Sequence, residues 1–130
     1  MAQDLTWAVE GAPIGTWTTS RGTFDAMMQD VLTLAVDGTG WLRTRSAMRG
    51  IQLFPVMWRH PEPGVLELAM LFPDDDPKEP PFFETVRYTA VTVEHDVGLP
   101  RGVLQNTDDD VFWNLAGPIV LSSRVPKAPD

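Results

Sequence analysis

Three side chains of this sequence have the chemistry to assist proton transfer: Glu84, Tyr88 and His60. A carboxyl, phenol or imidazole can act as an acid or hydrogen-bond donor toward a flexible substrate held in an apolar cavity. The sequence contains no nucleophile-elbow serine, phosphate-binding loop, dinucleotide fingerprint or zinc-protease motif. A cofactor-free cyclase or isomerase, which would carry no such signature, therefore stays open as an alternative.

The residues that could bind a metal are two histidines and two aspartate runs. His60 precedes a proline turn and His95 precedes Asp96 near the end of a predicted strand, where side chains are commonly exposed. Residues 74–76 and 108–110 lack the glycine and closing glutamate of a calcium-binding loop. The chain has no cysteine, which excludes thiolate sites and disulfides. We expect neither a metal nor a cofactor.

Apolar and aromatic residues at alternating positions indicate either a ligand cavity or a plain packed core. Methionine is flexible and polarizable, so a cavity rich in methionine and tryptophan can adapt to a bulky ligand. An eight-stranded barrel lies at the border between a filled interior and a small cavity. The predicted cavity lining consists of Met28, Trp41, Arg43, Phe54, Trp58, Leu66, Leu68, Met70, Tyr88 and Trp113.

Arg43 and Arg45 share one face of a strand with Trp41, because side chains two residues apart point the same way. If this face is the inner one, the arginines need a carboxylate from a neighbouring strand or from a ligand. If it is the outer one, the arginines are solvated and Leu42 and Thr44 point inward. Both arrangements stay open at this point.

Alternation of apolar and polar residues predicts a series of short strands. After a first apolar segment that contains Gly15-Thr16-Trp17, they cover residues 27–36, 41–48, 54–60, 65–72, 82–95 (as one long strand or two), 111–115 and 119–125. The turn Asp37-Gly38 between the first two is a strong hairpin signal, because glycine supplies the positive φ of a tight turn. Pro55 interrupts the third strand, so we expect it at a strand start, an edge or a bulge.

Helix is expected to be minor, because no long run keeps a helical apolar period without a breaker. One helical turn fits residues 25–28, and turns are expected at residues 61–64 and at Gly117-Pro118. The nearly continuous hairpins favour a barrel over a Greek-key sandwich, whose crossings need longer connections. We predict an all-β fold: one antiparallel up-and-down β-barrel of about eight strands over residues 1–130, frayed at residues 1–12 and 126–130.

Charge and composition restrict the classes of partner. A formal net charge of −8 argues against nucleic acid and membrane surfaces, which select a basic footprint. No segment approaches the roughly 18 apolar residues of a membrane-spanning helix, and the first residues do not resemble a signal peptide. We expect a cytoplasmic protein; a secreted chain without its signal would have the same features.

Gly15-Thr16-Trp17 near the start of the sequence and Arg124 near its end are suited to close a barrel. First and last strands pair in such a fold, so an indole and a guanidinium can stack across the seam. The arrangement resembles the lipocalin and wider calycin families, whose first strand carries Gly-x-Trp and whose last strand carries an arginine over that ring. The resemblance implies a calycin-like container closed by Trp17 and Arg124.

These observations predict binding of a small, largely apolar molecule in the barrel interior. One alternative is a cyclase or isomerase that uses the same cavity, and conversion of a candidate substrate would identify it. The other is an acidic interaction module, such as an inhibitor or immunity-type protein, whose partner is a basic protein. Co-purification with a basic protein would identify that alternative.

Overall fold

Eight antiparallel strands form a closed barrel in the order in which they occur along the chain. The computed structural model describes residues 5–19, 28–46, 50–71, 80–93, 101–108, 111–113, 115 and 117–126. The elements are α1 (Thr6–Glu10), β1 (Gly15–Thr18), β2 (Met28–Leu34), β3 (Thr39–Ser46), β4 (Gly50–Glu62), β5 (Val65–Met70), β6 (Glu84–Val93), β7 (Arg101–Asn106) and β8 (Ile119–Ser123). Pairing of β1 with β8 closes the barrel. The predicted all-β, up-and-down barrel of eight strands is confirmed.

The seventh strand lies earlier in the chain than predicted. β7 pairs with β6 on one side and with β8 on the other. The described part of residues 111–115 instead belongs to the β7–β8 connection, so the strand predicted there was wrong. Trp113 has φ +55°, which is incompatible with an extended strand. The true strand contains Gly102, and that glycine made the segment resemble a turn in the sequence.

The β2–β3 hairpin forms at the predicted Asp37-Gly38 turn. Gly38 has φ +85°, and the Asp37 carboxylate accepts a hydrogen bond from the Thr39 backbone N–H at 3.1 Å. The helical turn predicted at residues 25–28 is not formed at Met28, which begins β2. Residues 25–27 lie outside the described residues.

The β4–β5 turn is shorter than the predicted 61–64. β4 continues through Pro61 to Glu62, and the turn consists of Pro63 and Gly64. The β4–β5 register shifts between Arg59 and Glu62, and this irregularity accommodates the proline without a regular ladder position.

Pro55 lies inside β4, at the point where the β4–β5 ladder ends. The ladder's last regular pair is Val56 with Met70, beyond which the Pro55 carbonyl accepts a hydrogen bond from Leu71 N–H at 2.9 Å. The N and C=O of one strand residue point to the same neighbour. The N and C=O of Pro55 therefore both point toward β5, where the ladder ends. The absent N–H removes no hydrogen bond to β3, in agreement with the expected edge position.

One end of the barrel, called here the closed end, is covered by α1. Ala8 in this helix is fully buried, and the Val9 carbonyl accepts a hydrogen bond from Gly64 N–H at 2.9 Å. Residues 1–12 were expected to be frayed, whereas the helix within this segment packs against the barrel. In the part of the chain that the structure describes, no helix is long and apolar enough to cross a membrane.

Trp17 is fully buried at the closed end, as predicted, and its Nε1–H donates to the Pro13 carbonyl at 3.0 Å. The arginine contact differs from the prediction. The Arg124 guanidinium carbon lies 4.1 Å from the ring centroid of Trp7, whose ring is in turn 6.0 Å from that of Trp17. Arg124 therefore stacks on Trp7 of α1, and Trp7 separates it from Trp17. The strands still meet as expected, with Trp17 paired to Leu121 of β8.

Candidate functional site

The described part of the barrel interior is filled by side chains. The fully buried ones are Trp17, Leu32, Leu34, Leu42, Leu66, Leu68, Leu104, Phe112 and Ile119. An empty cavity that admits a ligand would leave its lining accessible to water, and these residues have almost no accessible surface. A ligand at their level would have to displace packed side chains.

The predicted cavity-lining residues divide into three groups. Trp58, Leu66, Leu68, Tyr88 and Trp113 are buried within the core. Phe54 and Met70 are partly buried and pack against it. Trp41 and Arg43 do not line the interior, and the side chain of Met28 is not among those described.

The positions of Trp41 and Arg43 correct the prediction that they line a cavity. Leu42 between them is buried, and neighbouring residues of a strand point to opposite faces. Both side chains are therefore on the outer face of β3. The solvated alternative for Arg43 and Arg45 is the one that the fold adopts.

Trp58 serves the packing of the β2–β3 hairpin against β4. Its Nε1–H lies 3.0 Å from the Ala35 carbonyl and 2.9 Å from the Thr39 carbonyl, and its backbone N–H donates to Gly38 at 3.0 Å. The Nε1–H of Trp58 is thus hydrogen-bonded within the protein. The sequence indicated an inward-facing Trp58 but predicted that it contacts a ligand.

Two of the three proposed acid–base residues meet beneath α1. The Tyr88 hydroxyl donates to the Ala8 carbonyl at 2.5 Å and lies 3.3 Å from His60 Nε2. Since the single phenol proton points to Ala8, His60 Nε2–H is the donor in the second contact. Glu84 is four residues from Tyr88 on the same strand, about 13 Å along β6. The three residues therefore do not form one catalytic group.

Burial raises the pKa of the Tyr88 phenol well above its ordinary value. Because the folded state holds this proton more tightly than the unfolded state, the stability contributed by Tyr88 is complete below about pH 10 and decreases at higher pH. Tyr88 is the only tyrosine in the chain, so phenolate absorbance reports on it alone. We expect the native protein to show no phenolate signal at a pH where the urea-unfolded protein has ionised.

Tyr88→Phe is the control for this titration. It removes the phenolate signal and is expected to lower the free energy of unfolding by about 1–2 kcal/mol, because the Ala8 carbonyl loses its donor. Native phenolate formation near pH 10, while far-ultraviolet circular dichroism still shows the folded barrel, would contradict the prediction.

A groove opens at the end of the barrel opposite α1, where β6 continues past the end of β7. The last β6–β7 pair is Tyr88 with Asn106, while β6 remains paired to β5 as far as Glu84. The resulting β6–β7 groove has a volume of about 600 Å³. It is lined by Glu84, Thr85, Val86, Arg87, Asn106, Thr107, Asp108 and Trp113.

Hydrogen bonds hold Trp113 at the wall of the β6–β7 groove. Its Nε1–H donates to the Glu84 carboxylate at 3.0 Å, and its backbone N–H donates to the Asn106 side-chain oxygen at 2.9 Å. The positive φ of Trp113 is costly for a bulky residue and is maintained by these contacts. The indole fixes one oxygen of Glu84, a residue that is exposed at the surface.

The backbone of β6 also contributes polar atoms to this groove. The Arg87 carbonyl accepts a hydrogen bond from Thr107 N–H at 2.9 Å, so it points away from β5. Thr85, two residues earlier, presents its N–H and C=O in the same direction. The ladder places Thr85 opposite Glu67 of β5, and β7 does not reach it on the other side.

Of the groove residues, the sequence pointed to Glu84 and Trp113 individually and to Asp108 only as part of an aspartate run. Thr85, Arg87, Asn106, Thr107 and Asp108 meet only because β7 ends where it does, and no motif or period signals that position. No three histidine, aspartate or glutamate side chains among the described residues converge as metal ligands. His95 and residues 74–76 and 109–110 lie outside the described part of the chain.

Comparison with known proteins gives no assignment, since no family model, curated protein or solved structure matches this chain.

Proposed function

We propose that this protein binds a small molecule in the β6–β7 groove. The observation that carries the proposal is the groove itself, whose volume of about 600 Å³ lies within the range of about 300–1,000 Å³ typical of ligand sites. Acidic side chains, the Asn106 amide and strand backbone atoms line it. The buried core side chains among the described residues support this location over the predicted interior cavity.

The lining indicates a polar ligand with a positively charged group. Among the lining residues Glu84 and Asp108 are acidic and exposed, and the one basic residue, Arg87, lies 3.7 Å from Glu62, so the groove has an excess of negative charge. Trp113 and Val86 border the groove but are buried, so its accessible lining is mainly polar. The ligand we propose is a small amine, which differs from the largely apolar molecule expected from the sequence.

The proposal includes a calycin-like relationship of the fold. It is supported by the antiparallel barrel of eight strands, by Gly15 and Trp17 on the first strand, and by an arginine after the last strand that covers an indole at the closed end. A groove at the end opposite the covering helix fits a container that takes up its ligand there.

Tryptamine is a suitable probe, because it is a small molecule that carries an ammonium group. We expect calorimetric titration to show binding to the native protein and about tenfold weaker binding to the double variant Glu84→Gln, Asp108→Asn. The matched control Glu10→Gln, Asp37→Asn removes two exposed carboxylates outside the groove and is expected to bind like the native protein.

Titration with dodecanoate tests the alternative location. Binding of this fatty acid, unaffected by the groove variant and lost in Trp58→Ala, would place the ligand in the interior and refute the groove proposal. Equal weakening of tryptamine binding in both double variants would also refute it, because net charge alone would then explain the affinity.

A further inference from the structure

The outer face of β3 and β4 carries a continuous set of apolar and basic side chains, of which Arg43 is half-buried and the others are exposed. Ile51 is 65% exposed, Leu53 41%, Trp41 37% and Met57 36%. The strand register places Arg43 opposite Leu53, Arg45 opposite Ile51 and Trp41 opposite Pro55. We call this surface the β3–β4 face; its defining residues are Trp41, Arg43, Arg45, Ile51, Leu53 and Met57.

The two arginines of the β3–β4 face differ from other arginines on the barrel. Arg59 lies 3.3 Å from Glu67, and Arg87 lies 3.7 Å from Glu62. Within the described residues, Arg43 and Arg45 are near no carboxylate at ion-pair distance. In a chain of net charge −8, two neighbouring guanidiniums without an acidic partner form a local positive site.

This combination is typical of a protein interface. Isolated exposed apolar residues are normal, but a continuous apolar patch on one sheet face marks an interaction site. Tryptophan and arginine are enriched among the residues that contribute most to binding, and lysine and glutamate are depleted at interface cores. The β3–β4 face contains neither lysine nor a carboxylate among its defining residues.

We propose that the β3–β4 face binds an acidic, apolar segment of a partner protein. The partner's carboxylates pair with Arg43 and Arg45, and its apolar side chains pack on Trp41 and Leu53. This site goes beyond the proposed small-molecule function and lies on different strands from the β6–β7 groove. The proposed partner is acidic, whereas the protein partner considered from the sequence was basic.

Two other occupants of this face are less favourable. A symmetric contact with a second copy would place four guanidiniums together with no carboxylate on the face to neutralise them. An anionic membrane would gain only about 1 kcal/mol from each of two arginines, and polybasic membrane sites use about four to eight basic residues. The charge and apolar pattern together fit an acidic protein segment best.

The test uses a labelled synthetic peptide that alternates glutamate with leucine and phenylalanine. A matched peptide has lysine in place of every glutamate. We expect fluorescence anisotropy to show binding of the acidic peptide, with affinity that falls as salt is raised, and no binding of the basic peptide. Vesicles of mixed phosphatidylglycerol and phosphatidylcholine are tested in parallel by co-sedimentation.

Variants test whether the acidic peptide binds at the β3–β4 face. We expect Arg43→Gln, Arg45→Gln and, separately, Trp41→Ala to weaken acidic-peptide binding by about tenfold. The control Thr89→Glu, Ser122→Glu alters two exposed residues on other strands and carries the same net charge as the double arginine variant. It is expected to bind the acidic peptide like the native protein.

Several results would overturn the proposal. They are equal affinity of the arginine variant and its charge-matched control, preference for the basic peptide, binding of vesicles without binding of the acidic peptide, and no binding to either peptide. Circular dichroism of each variant confirms that the barrel is folded before its affinity is compared.

Discussion

Trp17→Ala is expected to lower the free energy of unfolding by about 3–5 kcal/mol. The indole is fully buried at the closed end and packs against Trp7. Its Nε1–H satisfies the Pro13 carbonyl, so the substitution also leaves a buried acceptor without its donor. β1 has only four residues, and a cavity at Trp17 removes the main contact of this strand with the core. Urea denaturation monitored by far-ultraviolet circular dichroism measures the loss.

Trp41→Ala is the matched control, because it makes the same chemical change on the outer face of β3. Its ring is more than one third exposed, so we expect a loss of less than about 1 kcal/mol. Similar losses at Trp17 and Trp41 would show that the closed end is not the packed region described above.

Gly15→Ala is expected to lower the free energy of unfolding by about 2–4 kcal/mol. Gly15 has φ +147°, a conformation that residues with a Cβ rarely adopt. A Cβ there would lie 2.5 Å from the Ser123 carbonyl oxygen and 3.2 Å from Arg124 Cα, both of them backbone atoms. The first strand would therefore have to move away from the last strand. Chemical denaturation and hydrogen exchange of β8 amides measure the effect.

Gly50→Ala is the control that separates the steric cost of a Cβ from the cost of positive φ in the free energy of unfolding. Gly50 also has positive φ, +68°, but a Cβ there would contact nothing within 4 Å. We expect a loss of about 1 kcal/mol from backbone conformation alone. If Gly15→Ala lowers the free energy of unfolding no more than Gly50→Ala does, the close approach of β1 and β8 does not require Gly15.

Local sequence patterns predicted the parts of the fold that depend on neighbouring residues. The Asp37-Gly38 turn, the alternation around Leu42 and the inward positions of Leu66 and Leu68 all follow from a period of two and from glycine's access to positive φ. β7 was missed because Gly102 made the segment resemble a turn, whereas the apolar residues of 111–115 resemble a strand and the described part of that segment is a connection.

Contacts between distant segments were less predictable. The sequence placed Arg124 at the seam with Trp17, but the ring it covers is Trp7, on a five-residue helix too short to show an apolar period. The β6–β7 groove depends on where β7 stops relative to β6, a long-range register that composition does not encode. Glu84 and Trp113 were therefore identified individually, without the site that joins them.

Pairing of β1 with β8 determines when this protein can complete its fold during synthesis on the ribosome. The Thr16 hydroxyl donates to the Val125 carbonyl across 109 residues of chain, and Trp17 is paired with Leu121. A nascent chain that has not yet reached residue 119 lacks the second neighbour of β1 and leaves that strand edge exposed. Premature termination in this region would therefore yield an aggregation-prone seven-stranded sheet, and a chaperone that binds exposed strand edges would protect the growing polypeptide until its last strand emerges.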